Sequence, residues 1–190
     1  MREFILFTRG WTKPFKLNSL TNAGRMDLIA RCITNAIFVS EAIRPNVKIH
    51  IVLNGPPRPP LLITFDTSRL KRVAPDERNV ASHIRIALEK FRGEGIESEP
   101  GIYIEKKSFE ELVKEKLNRN LIYMHPSGED IRNLKLKNWT AIIGDHKGIP
   151  KTIEKFIEKL GIKKVSVGKI EYLASQVITI LHYETDRLVL

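Results

Sequence analysis

Short β-rich runs alternate with amphipathic helical stripes along most of this chain, and that alternation limits its architecture more than any other feature. The runs Glu3–Thr8, Val47–Leu53, Leu61–Phe65, Gly101–Glu105, Leu121–Met124, Thr140–Ile143 and Lys164–Val167 read as strands. Between them, apolar residues recur at helical spacing. One stripe holds Leu28, Ile29, Cys32, Ile33, Ala36 and Ile37; a second holds Val80, Ile84, Ala87, Leu88 and Phe91; a third holds Phe109, Leu112, Val113 and Leu117. A fourth, Ile153 to Leu160, follows Pro150 in its first turn and ends at Gly161, a left-handed cap. A fifth is expected to run from Ile170 to Leu181. Strands alternating with helices predict an α/β protein, a mostly parallel sheet flanked by helices. A length of 190 residues predicts one domain over 1–190.

The charge balance is the first functional clue. Lys and Arg number 32 against 22 Asp and Glu, a net charge of +10 with a pI near 9.8. Such an excess suits a phosphate-bearing partner, or serves a well-solvated surface. Cys32 is the one cysteine, which excludes an intramolecular disulfide. No apolar run approaches the ~20 residues needed to span a bilayer, and Glu3 stands where a signal peptide has its basic head. A soluble protein of the cytoplasm, with no membrane partner, is expected.

Several chemistries lack their residues. Gly144-Asp145-His146-Lys147-Gly148 has no Gly-Lys-Ser/Thr ending, no G-x-G-x-x-G follows a strand, and no G-x-S-x-G offers a serine nucleophile. The five histidines are scattered without ligand spacing, so no metal site is expected. Three glycine-centred turns follow predicted strands instead: Met124–Asp130 around Gly128, Ile142–Gly148 around Gly144, and Val165–Ile170 around Gly168. Ligands of open α/β sheets bind beyond the carboxyl ends of strands, and glycine lets backbone approach them closely. Nearer the amino terminus, Arg9, Lys13, Lys16, Arg25 and Arg31 are interleaved with Trp11 and Phe15. Those rings either stack on RNA bases or pack the loop against the core. Asp27 and Arg31 have the spacing of a helical ion pair. Asp76 is the expected cap of the helix after Pro75, and Arg69, Lys71 and Arg72 form a basic cluster before it.

Together these residues resemble one family, the archaeal tRNA pseudouridine-54 N1-methyltransferases of the SPOUT, or trefoil-knotted, superfamily. The resemblance runs from Met1-Arg2-Glu3-Phe4 to Glu184-Thr185-Asp186-Arg187. It is densest at Gly24–Cys32, Leu53–Pro57, Pro75–Arg78, Gly128–Ile131, Gly144–His146 and Leu173–Gln176 with His182. It implies a deep trefoil knot near the carboxyl terminus, with knot and cofactor loops over about 121–190. It implies S-adenosylmethionine as methyl donor, tRNA as substrate and a homodimer formed through the knot region. By the same resemblance the cofactor lies against Met124, Gly144, Val167, Gly168, Lys169, Ile170, Glu171, Tyr172 and Val177. Val177 stands where family members often carry Cys, and Met124 where Leu is usual; both keep an apolar contact.

Methylating N1 of pseudouridine requires loss of the N1 proton. A carboxylate to take it and an arginine beside the uracil carbonyls are therefore wanted. Arg25 and Asp27 are the candidates, with Arg31 and Asp66 behind them. Arg9, Lys13, Lys16, Arg31, Arg69 and Arg72 are expected to bind RNA around one cleft. Two other readings stay open: a pseudouridine N1-methyltransferase of ribosomal RNA, and a non-catalytic RNA-binding protein with the same fold.

Overall fold

The computed structural model describes residues 1–40 and 42–188. An eight-stranded sheet forms its centre, built from β1 (Arg2–Thr8), β4 (Val47–Leu53), β5 (Leu61–Asp66), β6 (Ile96–Glu99), β7 (Ile102–Glu105), β8 (Asn120–Asp130), β9 (Trp139–Gly144) and β10 (Lys163–Ser166). The order across it is β10-β8-β9-β1-β4-β5-β7-β6. The five strands from β10 to β4 are parallel, and β5, β7 and β6 continue the sheet as antiparallel neighbours. A separate antiparallel pair joins β2 (Phe38–Val39) to β3 (Ala42–Ile43).

β1 lies in the middle, between β9 and β4. Its side chains alternate between two cores, as the two-residue period of a strand requires. Phe4 and Leu6 join α1 (Met26–Ile37), α2 (Glu77–Lys90) and α5 (Ala174–Arg187) on one face. Ile5 and Phe7 join α3 (Phe109–Glu115) and α4 (Lys151–Lys159) on the other. Burial on both faces explains why Phe4–Phe7 is continuously apolar rather than alternating. The sheet thus has helices on both sides, as the alternation predicted.

Some boundaries move. The expected fifth helix starts at Ala174, not Ile170; residues 170–173 run outside it, with Ile170 68% and Leu173 53% exposed. Gln176 fixes the start, its Oε1 accepting the Leu173 N–H at 3.0 Å. α3 stops at Glu115, leaving Leu117 exposed. Ile96–Glu99 is a strand despite its poor β-formers, because β7 supplies it with ladder partners at the sheet edge. The segment expected as a turn around Gly128 is part of β8. There the β10 ladder passes from Tyr123 to Glu129, so the intervening residues lie out of register.

Asp76 caps α2, accepting from the Arg78 and Asn79 N–H groups. Gly161 has φ +68 after α4.

Candidate cofactor cleft and nucleic-acid surface

Beyond the carboxyl ends of β9 and β10 lies a cleft of about 670 Å³. Three stretches wall it: 123–126 from the irregular part of β8, 143–149 following β9, and 165–177 leading into α5, with Leu28 of α1 closing one side. Met124, Gly144, Val167, Gly168, Ile170, Glu171, Tyr172 and Val177 all line it; Lys169 does not. Gly128, centre of the first expected turn, lies outside the lining as well. A Cβ there would stand 2.4 Å from the Val165 nitrogen, so its glycine serves contact between β8 and β10.

Local chemistry shapes each wall. At Gly144 a Cβ would meet the backbone of Gly148 and Ile149 at 2.8–2.9 Å, so the turn folds directly back over this residue. Asp145 fastens that turn. Its side chain is 3% exposed and accepts from the Lys147 N–H at 2.9 Å, the Arg9 N–H at 3.0 Å and the Arg9 guanidinium. Its carbonyl accepts from Gly148 N–H at 2.8 Å. In the next wall the Ser166 hydroxyl donates to the Gly168 carbonyl at 2.6 Å and accepts its N–H at 3.1 Å. The polar corner holds Glu154, 3.1 Å from Lys164 Nζ and 3.4 Å from His125 Nε2. Burial, then the charge of Glu154, pushes the Tyr123 hydroxyl up to about 12.

Arg25 and Asp27 do not line this cleft; they open α1, Asp27 directly before Leu28, the residue of that helix which does. Arg25 caps α1 in the left-handed region, φ 63 and ψ 46, where a non-glycine residue is strained. Its Nε and Nη2 donate to the two Asp27 oxygens, each at 2.9 Å. That bidentate bond holds the Asp27 carboxyl below its ordinary value despite burial, and raises Arg25 in turn. The expected Asp27–Arg31 pair is not formed; Arg31 Nε donates to Glu77 at 2.8 Å instead. Asp66 is engaged by Lys48 and Ser68 at the far end of β5.

The expected RNA-binding cations divide into two groups. Lys13 and Lys16 are exposed in the loop after β1, on the cleft's side of the sheet, with Lys13 Nζ 4.5 Å from the Trp11 ring centre. Phe15 packs into the core, 7% exposed, and is no stacking platform. Arg69 and Arg72 leave the end of β5, which lies beside the start of β4, and therefore occupy the opposite edge. The expectation of one basic surface around one cleft is corrected by that antiparallel step. Arg69 also pairs with Glu97 at 3.2 Å. Arg58, which sequence reasoning passed over, belongs with Lys13: it is exposed, and its N–H donates to Thr12 Oγ1 at 2.7 Å. Only its place among four prolines pointed to a rigid, presented loop.

Among the described residues no group of three or more His, Cys, Asp or Glu could hold a metal ion, and no helix is long and apolar enough to cross a membrane.

Residues 1–190 match the model of a family described as "Putative SAM-dependent RNA methyltransferase". The tRNA (pseudouridine(54)-N(1))-methyltransferase of Methanocaldococcus jannaschii is 40% identical, with 98% of this chain and 97% of the relative aligned. The protein of the same name from Methanocella arvoryzae is 42% identical over 98% of this chain and all of the relative. Among solved structures, Nep1 of Archaeoglobus fulgidus bound to S-adenosylhomocysteine superposes with a TM-score of 0.69 at 14% identity, covering 99% of this chain and 98% of that one. That likeness is one of fold. With the family model and the relatives both matched over essentially the full length, this chain belongs to the S-adenosylmethionine-dependent RNA methyltransferases.

Proposed function

We propose that this protein methylates N1 of pseudouridine 54 in the T-loop of tRNA, with S-adenosylmethionine as methyl donor. One observation carries the reading. A cleft lies beyond the carboxyl ends of parallel strands, walled by close-packed backbone turns, and the helix whose Leu28 lines it begins with an arginine–carboxylate pair. The name shared by full-length relatives supports the substrate, and favours tRNA over ribosomal RNA. Work on tRNA suits the cytoplasm.

The residues present fit such a cofactor. A volume of about 670 Å³ falls within the ~300–1,000 Å³ usual for small-molecule sites. Met124, Val167, Ile170 and Val177 offer apolar walls for a flat base, and the Gly144 and Gly168 turns offer backbone donors and acceptors. At Gly168 a Cβ would meet nothing within 4 Å, so the backbone there is open to a ligand. Glu171 or Glu154 suits the cofactor's ammonium group. Lys169 belongs to the same loop without lining the cleft. When bound, S-adenosylmethionine supplies a methyl group on a positively charged sulfur.

The chain's own residues would do the rest. The Arg25 guanidinium orients the uracil ring through a carbonyl and stabilises the negative charge that grows there. Asp27, held ionised by Arg25, would take the N1 proton on its carboxylate, freeing the nitrogen to accept the methyl group as that group's bond to sulfur breaks and the neutral thioether leaves. Lys13, Lys16 and Arg58 meet phosphates on the same edge. The protein acts as one domain over 1–190, with the trefoil knot in 121–190. Self-association through that region would cover Ile170, Leu173 and Tyr183, which are 53–68% exposed.

The decisive test supplies labelled S-adenosylmethionine and two tRNAs that differ only in pseudouridine or uridine at position 54. Methylation of the first alone is expected. Equal methylation of both would overturn the N1 assignment, and methylation of small-subunit ribosomal RNA in preference to either would overturn the substrate.

A further inference from the structure

The interaction between Arg9 and Asp145 connects the two halves of the site, and sequence reasoning had given Arg9 another task. Arg9 follows the central strand. Its Nη1 donates both to the Asp145 carboxylate and, at 3.2 Å, to the Gly148 carbonyl. Its N–H donates to the second Asp145 oxygen at 3.0 Å. One residue thus ties both ends of the turn that folds back over Gly144.

The backbone of Arg9 is held just as closely on its other side. A Cβ at Gly24 would stand 2.3 Å from the Arg9 carbonyl oxygen, and one at Gly55 would stand 2.4 Å from it. Gly24 immediately precedes Arg25 in the left-handed cap of α1. The Trp11 N–H donates to the Ala23 carbonyl at 3.2 Å, and the Gly55 N–H to the Gly10 carbonyl at 2.9 Å. Any shift of Arg9 is therefore felt on both sides: at the turn that walls the cofactor cleft and at the cap that carries Arg25. Arg25 is raised chiefly by its bond to Asp27, and the Asp145 charge adds to it, so the two acids lie within electrostatic reach of one guanidinium.

We propose that Arg9 is a positioning residue, whose side chain holds the 144–149 turn in its cofactor-binding form while its wedged backbone fixes that turn relative to Arg25. The inference deepens the methyltransferase reading and rests on it. Alignment of two reactants is where a small displacement costs most: a misplacement of ~1 Å lowers rates by about a hundredfold. The buried Asp145 carboxylate explains why a cation is wanted at Arg9. Removing one partner of such a pair strands the other.

Arg9→Ala, Arg9→Lys and Asp145→Asn should be compared with the unchanged protein by calorimetry with S-adenosylhomocysteine, far below each variant's unfolding midpoint. Arg9→Ala should weaken binding about tenfold, the worth of one charge-assisted hydrogen bond. It should raise KM for S-adenosylmethionine while leaving the affinity for tRNA and its salt dependence unchanged. Because Nη1 alone makes both side-chain contacts, a lysine ammonium at the same place should restore most of the loss. Combining Arg9→Ala with Asp145→Asn should cost no more than the worse single change.

Unchanged S-adenosylhomocysteine binding with weakened tRNA binding would overturn the proposal and make Arg9 a phosphate contact. Additive losses in the double variant, or no recovery with lysine, would overturn it too. Failure of the unchanged protein to bind S-adenosylhomocysteine would instead remove the cofactor reading itself.

Discussion

Gly24 and Gly55 leave the same space empty from two directions, and the Arg9 carbonyl fills it. An alanine methyl at either place has no soft neighbour to displace, and at Gly24 it also meets a φ of +70. Gly24→Ala should lower stability by roughly 3 kcal/mol, read as a lower denaturation midpoint. His182 is a second residue whose surroundings set its behaviour. It is 1% exposed, between the Arg2 guanidinium at 2.9 Å and the Ala36 carbonyl at 2.9 Å. Burial, then the charge of Arg44, pushes its pKa down from 6.5 to about 4. Between those values the unfolded chain binds the proton and the folded one refuses it. The stability this neutral histidine contributes is whole above about pH 6.5 and is lost as pH falls toward 4, by about 3 kcal/mol. Urea midpoints measured from pH 8 to 4 should fall through that window, and His182→Gln should flatten the fall. His182 was visible in the sequence only as part of a resemblance. Its two partners come from β1 and α1, far away along the chain, and no local pattern announces such a pairing.

At the scale of elements, periodicity served well wherever an element packs on the core through its own residues. The stripes of α1, α2 and α4 are of this kind, and each helix lies where its stripe does. α5 departs from its expected start for a functional reason. Ile170 and Leu173 are apolar at helical spacing but line the cleft from outside the helix, so their apolarity faces a cavity rather than the core. Apolar spacing records that a side chain avoids water, not which surface receives it. The turn at Gly144 was legible because close backbone approach there admits no other residue, whereas the turn expected around Gly128 is part of β8; Asp145 was less legible, since its partner Arg9 is 136 positions away. Gly144 is for the same reason a poor place to block the cleft, because any side chain there displaces the turn. Val177, on the first turns of α5, is better. Val177→Trp should fill the cleft and weaken S-adenosylhomocysteine binding at least about a hundredfold, measured by calorimetry, with far-ultraviolet circular dichroism unchanged.

For the whole molecule the antiparallel step from β4 to β5 decides where charge can act. It sends Arg69 and Arg72 to the edge opposite the cleft, while Lys13, Lys16 and Arg58 remain beside it. Strand order is set by pairings distant in sequence, so one basic surface in the sequence became two in space. The consequence is measurable in the salt dependence of tRNA binding. Lys13→Ala and Arg58→Ala should each reduce the slope of log affinity against log salt by about 0.7–0.9, and Arg69→Ala should leave it unchanged; fluorescence anisotropy over a salt series reads all three. The central place of β1 has a consequence for biosynthesis. Its neighbour β9 follows β1 only after five of the other sheet strands and two of the long helices have been translated. Until then Ile5 and Phe7 lack the cover of Ile142, and one edge of β1 is unpaired. A nascent chain in that interval offers an apolar strand edge to any other strand nearby, the condition under which chaperones hold and chains aggregate. The late arrival of β9 closes that edge and, in the same event, brings Asp145 to Arg9, so protection against aggregation coincides with the fastening of one cleft wall, before the wall at 165–177 is made.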